Sequence, residues 1–266
     1  IHARILLRMA FIVNYKIGRL LYILIMDIQI FESLKELNQS FTEWLQEILK
    51  KKKSITVALS GGSTPKSLFN YWSELPEGEI EWTKIKFFWG DERCVPPSDD
   101  QSNYKMTNDH LFNKVNIPKE NIFRIKGENS PSSEAYEYSD LLNQNIKVVD
   151  NIPVFDIIIL GMGDDGHTAS IFPHEIELWN SSRNCVVATH PESGQKRVSI
   201  TGRVINAADN VAFLVTGENK ADKIKEIIEN PLESEKKYPA ALVQPESGNL
   251  IWFIDNKAAG RLTGNS

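Results

Sequence analysis

Short, almost uninterrupted apolar runs punctuate this chain, each stopping at a polar, glycine-containing turn. Residues 55–59 break into Ser60-Gly61-Gly62-Ser63-Thr64-Pro65 and resume at helical spacing with Leu68, Phe69, Tyr71 and Trp72. Residues 85–89 stop at Gly90-Asp91-Glu92-Arg93, and residues 155–160 stop at Gly161-Met162-Gly163-Asp164-Asp165-Gly166-His167. Strands this apolar have both faces covered, and their alternation with helices indicates a parallel sheet. The pattern predicts an α/β fold: a single domain on a mostly parallel, Rossmann-like sheet with helices on both faces. Further strands are expected at 185–189, 197–201, 211–215 and 250–254, and helices from Leu34 to about Lys50 and near 101–115, 132–144 and 219–229.

A chain of 266 residues suits one large α/β domain. Its 30 basic against 35 acidic residues leave a net charge of −5, without the basic excess that DNA, RNA or anionic lipid would attract. Nucleic acid and membrane are therefore not expected partners. Cys94 and Cys185 have no second Cys or His at a ligating distance, so they are read as two buried thiols in a reducing, cytoplasmic compartment. Residues 1–25 are basic and amphipathic, with apolar runs shorter than the roughly 20 residues of a membrane span. They also lack a signal-peptide cleavage site. They are read as an upstream leader outside the fold, with a surface-binding helix as the rival, and the domain is taken as 26–266 from Met26.

In open α/β sheets, ligands bind beyond the carboxyl ends of the strands, where this chain keeps its unusual residues. Ser60, Gly61, Gly62, Ser63 and Thr64 stand at the start of a helix, where free N–H groups and the positive dipole end favour an anion. Ser63 or Thr64 is expected to cap that helix, with Pro65 in its first turn. The loop is not a mononucleotide P-loop, since the lysine-bearing spacing is absent. The 161–166 turn formally matches G-x-G-x-x-G, but two aspartates inside it would repel a pyrophosphate, and no acidic ribose partner follows about 20 residues on. What that turn offers is Asp165 two residues before His167, acid–base equipment at a strand end, with a possible helix opening at Thr168-Ala169-Ser170. Asp91 and Arg93 form a second charged pair at a neighbouring strand end. Asp-x-His on one turn lacks a three-ligand metal set, so no metal is expected. Ser60 and Ser170 lie outside any G-x-S-x-G elbow.

The strings SGGSTP (60–65), GDER (90–93), Ser102-Asn103, GMGDDGHTASIFP (161–173) and TGENKAD (216–222), in this order, resemble the 6-phosphogluconolactonase family over residues 31–259. The wider superfamily also holds glucosamine-6-phosphate deaminases, which continue the D-G-H turn with I-A-F-N-E-P; here Phe172 replaces that glutamate, which favours the lactonase. The family usually has glycine after the F-P pair, whereas this chain has His174 and Glu175, so loop geometry is open there. The resemblance implies hydrolysis of 6-phospho-D-glucono-1,5-lactone, a sugar-phosphate lactone substrate and no cofactor. It also implies that Arg197, on an arginine-bearing strand, and Lys220 hold the phosphate together with residues 60–64. On this reading His167 is the base for water, Asp165 or Asp91 orients it, and Arg93 or a backbone N–H receives the oxyanion. A deaminase and a non-catalytic sugar-phosphate sensor are the alternatives, and a monomer or small homo-oligomer is expected.

Overall fold

The computed structural model describes residues 5–13 and 22–263. The strands are β1 (Ile5–Val13), β2 (Tyr22–Phe31), β3 (Ile55–Leu59), β4 (Ile85–Trp89), β5 (Asp91–Arg93), β6 (Val148–Val149), β7 (Ile152–Pro153), β8 (Ile157–Leu160), β9 (Cys185–Thr189), β10 (Lys196–Ile200), β11 (Val211–Val215) and β12 (Leu250–Asp255). The helices are α1 (Leu34–Lys51), α2 (Ser63–Ser73), α3 (Asn103–Thr107), α4 (Pro131–Asn145), α5 (Gly202–Asn206), α6 (Ala221–Glu229) and α7 (Pro231–Ser234).

The central sheet runs β1-β2-β12-β11-β8-β3-β4, and from β2 to β4 every neighbouring pair is parallel. This is the mostly parallel α/β sheet that the apolar runs predict. The chain steps from β3 outward to β4, then returns to the other side of β3 and moves away through β8, β11 and β12. Its direction therefore reverses between β3 and β8, which is where an open sheet leaves a crevice at its carboxyl edge. Of the expected leader, residues 1–4 and 14–21 lie outside the described residues, while Ile5–Val13 pairs antiparallel with β2. Among the described residues, no helix is long and apolar enough to cross a membrane.

Helix α1 starts where Ser33 accepts from the Glu36 N–H at 3.2 Å and Glu36 reaches back to the Glu32 N–H, a reciprocal cap. Its buried stripe of Leu37, Phe41, Leu45 and Leu49 covers the sheet, with the Phe41 ring edge-on to Phe253 at 5.2 Å. Trp72 of α2 donates to Thr42 of α1 at 2.8 Å, which fixes the axis of the helix that begins at the SGGSTP loop.

The expected strands at 185–189 and 197–201 form, but outside the parallel sheet. They make an antiparallel sheet in the order β5-β10-β9. Asp91–Arg93, expected as part of a loop, is its third strand, because the chain leaves β4 still extended and β10 takes up its backbone groups, beginning with Ile200 N–H to Gly90 O at 2.8 Å. The helix expected near 101–115 is divided into α3 and a π-helical turn, Asn108–Phe112. Both cysteines are free; Cys185 is buried as expected, whereas Cys94 is only half-buried.

Tyr138 of α4 pins the end of β4. Its buried hydroxyl accepts from the Trp89 N–H and donates to the Trp89 carbonyl, both at 2.9 Å. Tyr138→Phe leaves both backbone groups unpaired, and denaturant unfolding should show a loss of about 1–3 kcal/mol.

Candidate active site

Loops at the carboxyl ends of the adjacent strands β11, β8, β3 and β4 enclose a cleft of about 200 Å³. Ser60, Gly61, Gly62, Ser63, Thr64, Asp91, Arg93, His167, Arg197 and Lys220 all line it, so the structure brings together every candidate residue except Asp165, which stands behind the histidine.

One end of the cleft is the start of α2. Neither Ser63 nor Thr64 caps it: the cap is Gly62, at φ +104°, and no side chain accepts from the first turn. The leading N–H groups are thus left facing the cleft without an intrahelical acceptor, which is a better anion site than a capped helix would be. The Thr64 hydroxyl is instead bonded to that of Thr216 at 2.8 Å, tying this loop to the one after β11.

Arg93 and Arg197 lie side by side on β5 and β10. The Nε of each is buried without a hydrogen-bond partner, although Arg93 donates elsewhere to the Gln101 carbonyl at 2.6 Å. Burial pushes the Arg197 guanidinium below its ordinary value and Arg93 adds to this, while Asp91 opposes it. The Arg197 guanidinium rests 5.4 Å over the Phe172 ring. A buried cation with an unused donor is costly until an anion arrives, so these arginines are prepared for a negatively charged ligand.

On the loop after β8, Asp165 accepts from the His167 ring Nδ1 at 2.6 Å and from the His167 N–H at 3.1 Å. Burial raises the Asp165 carboxyl, but the His167 hydrogen bonds and charge overcome this and bring it down to about 2. Nδ1 being engaged, Nε2 is the ring nitrogen left for a ligand. The ring packs on Phe172 at 4.6 Å and lies against Gly163, where a Cβ would meet Nδ1 at 2.1 Å. The sequence left open which carboxylate accompanies the histidine. In the structure Asp165 holds the ring, whereas Asp91 is buried and accepts from the Ser170 hydroxyl at 2.6 Å. Ser170 is itself fully buried, its hydroxyl spent on Asp91.

The expected helix opening at Thr168 does not form. Residues 168–171 make a tight turn closed by Ile171 N–H to Thr168 O, with Ala169 at φ +48°, and a 3₁₀ segment, Pro173–Asn180, follows. Glu175, in the stretch that departs from the family pattern, breaks that segment at φ −124°, ψ 32° and accepts from the Thr189 N–H at 2.8 Å.

Two contributors appear in the sequence reading only within longer strings, with no role of their own. Glu92 faces away from the cleft and accepts from the N–H groups of Arg93, Asn103 and Tyr104 and from the Ser102 hydroxyl. Burial raises its carboxyl against the pull of those N–H groups. Its effect is to hold the start of α3 so that Asn103 lines the cleft and donates to the Asp91 carbonyl at 2.9 Å. Gly61 gives Asn103 room, since a Cβ there would stand 1.9 Å from its Oδ1. Among the described residues, no three His, Cys, Asp or Glu side chains cluster as a metal site.

Fold and cleft together define an α/β protein whose cleft holds both an uncapped helix N-terminus and a carboxylate-held histidine. A family model described as glucosamine-6-phosphate isomerases/6-phosphogluconolactonase matches residues 31–252, and the chain belongs to that family. A 6-phosphogluconolactonase of Treponema pallidum is 45% identical over 202 residues, 76% of this chain and 84% of the relative. One of Haemophilus influenzae is 48% identical over 209 residues, 78% of this chain and 87% of the relative. A crystal structure of devB protein superposes with a TM-score of 0.85 at 40% identity, covering 90% of this chain and all of the other. The chain is an enzyme of this family.

Proposed function

We propose that this enzyme hydrolyses 6-phospho-D-glucono-1,5-lactone to 6-phosphogluconate. The observation that carries the reading is the gathering, within one cleft, of a histidine held by Asp165 at 2.6 Å, an uncapped helix start, Arg197 and Lys220. The names of the relatives point the same way.

The phosphate binds the N–H groups and hydroxyls of residues 60–64 with Arg197 and Lys220, which fixes the lactone at a distance from the reacting bond. His167 Nε2 takes a proton from water as the water oxygen bonds to the carbonyl carbon. The carbonyl oxygen becomes negative and is received by Arg93 or a backbone N–H of the glycine-rich turns. The tetrahedral intermediate collapses by breaking the bond to the ring oxygen, which receives the proton from the imidazolium and becomes a hydroxyl, and the open-chain acid is released. Asp165 keeps the proton on Nδ1 and compensates the imidazolium while it exists. No redox or group-transfer cofactor enters this sequence. The deaminase alternative needs a carboxylate where this chain has Phe172, which is buried beneath the His167 and Arg197 side chains. The free thiols Cys94 and Cys185 support a cytoplasmic setting.

The test is hydrolysis of freshly made lactone, coupled to 6-phosphogluconate dehydrogenase and compared with the spontaneous rate. We expect acceleration that chelator leaves unchanged, and a kcat/KM roughly 10²-fold lower for phosphate-free gluconolactone, which lacks the charge-assisted contacts. A rate equal to background, or release of ammonia from glucosamine 6-phosphate, would overturn the assignment.

A further inference from the structure

The lactonase reading uses Asp165 and leaves its neighbour unexplained. Asp164 is largely exposed, and an exposed aspartate in a turn ordinarily needs no account. Here, however, one of its oxygens pairs with Lys220 Nζ and also accepts from Asn219 Nδ2 at 2.8 Å. Lys220 is the only cleft-lining cation supplied by the loop after β11, and its side chain is mostly covered. The loop that carries it turns at Gly217, φ +101°, where the Gly217 N–H is held by Asp255 at 3.0 Å, so the backbone beneath Lys220 is fixed. The long side chain above that backbone is fixed only by Asp164: among the described residues, no other carboxylate lies within ion-pair distance of its ammonium.

We propose that Asp164 is a positioning residue for the phosphate of the substrate, holding Lys220 at the cleft so that consecutive aspartates of one turn set both the base and a phosphate-binding cation. Asp165 fixes the base at the reacting end. Asp164 fixes a cation for the phosphate, and because the two aspartates are consecutive, one turn sets the spacing of base and cation. The proposal rests on the lactonase reading for the identity of the substrate, but it concerns the binding of a phosphate group and can be tested with inorganic phosphate alone. An ordered lysine binds an anion better than a free one because its rotamer entropy is already lost, an effect of about three- to tenfold for one such side chain.

The experiment compares wild type, Asp164→Ala, Asp164→Asn, Asp164→Glu, Lys220→Met and the Asp164→Ala/Lys220→Met double variant. Two readouts are used: KM and kcat on the phosphorylated lactone, and the Kd of inorganic phosphate by calorimetry. Asp164→Ala should raise both KM and the phosphate Kd about three- to tenfold with kcat nearly unchanged. Asp164→Asn should resemble it, and Asp164→Glu should recover part of the loss. In the Lys220→Met background the alanine substitution should add nothing. A fall in kcat at constant KM would overturn the proposal by showing that Asp164 serves His167, and a lowered KM would overturn it by showing that Asp164 competes with the phosphate. An undiminished effect without Lys220 would overturn it as well. Should wild type turn over no lactone, the functional reading fails while the phosphate titrations still decide the role of Asp164.

Discussion

Replacing His167 with asparagine should lower kcat by about 10²- to 10⁴-fold, the range a positioned general base supplies. The effect should fall on kcat rather than KM, because the phosphate-binding groups occupy other loops and are untouched. Asparagine is the informative replacement, since it can still hydrogen-bond to Asp165 and keeps the turn filled while removing the group that accepts a proton. The substitution also reports on Asp165. In the wild type the carboxyl is buried enough to be raised, yet His167 brings it down to about 2, below its ordinary value of 3.8. A carboxyl lowered by folding contributes stability above about pH 4, and that contribution fades as pH falls toward 2. The two proteins should therefore differ most in unfolding free energy above pH 4 and converge at the acid end, a modest difference because the group is half-exposed. Carboxyl titration by NMR should show the Asp165 resonance moving at higher pH in the variant. Unchanged turnover in His167→Asn would remove the base from the mechanism and leave Asp165 without a function.

Three of the loops that line the cleft were readable because each is a local event. An apolar run ends, glycines allow a turn, and the polar residues that follow have nowhere to go but the sheet edge. The strands 185–189 and 197–201 were also readable as strands, whereas their sheet was not. Periodicity reports that a segment is extended but not which neighbour accepts its hydrogen bonds, and β5 was hidden inside a string that looked like a loop for the same reason. Glu92, Asn103 and Asp164 stood in recognisable strings but received no role, because their partners lie outside those local turns: Glu92 is bound by residues 102–104 and Asp164 by residues 219 and 220. The turn at 168–171 is a different failure. Thr-Ala-Ser after a strand-end turn reads as the opening of a helix, but Ser170 is drawn inward by Asp91 and by the Ser199 hydroxyl, and Ala169 takes a left-handed conformation to allow it.

Gly163→Ala should reduce kcat by roughly 10²-fold, although no atom of the catalytic residues is changed. Its neighbour in the turn, Gly166, needs glycine for its backbone, at φ +86°. Gly163 is not among the glycines with a positive φ, so the expected effect of substitution is one of space. That space is taken: an added Cβ would lie 2.1 Å from His167 Nδ1, 2.3 Å from Cε1 and 2.7 Å from Asp165 Oδ1. The methyl group cannot be accommodated without moving the ring, the carboxylate or both, and a shift of about 1 Å in a reacting group costs on the order of 10²-fold in rate. Stability should change little, because the His167 ring borders the cleft and can swing into it. Phosphate affinity should hold, because the α2 terminus, Arg197 and Lys220 are on other segments of the chain. Loss of kcat with retained phosphate binding would therefore assign to Gly163 the task of leaving room for the base. Full activity in Gly163→Ala would mean that the ring works from a position other than the one it occupies against Asp165.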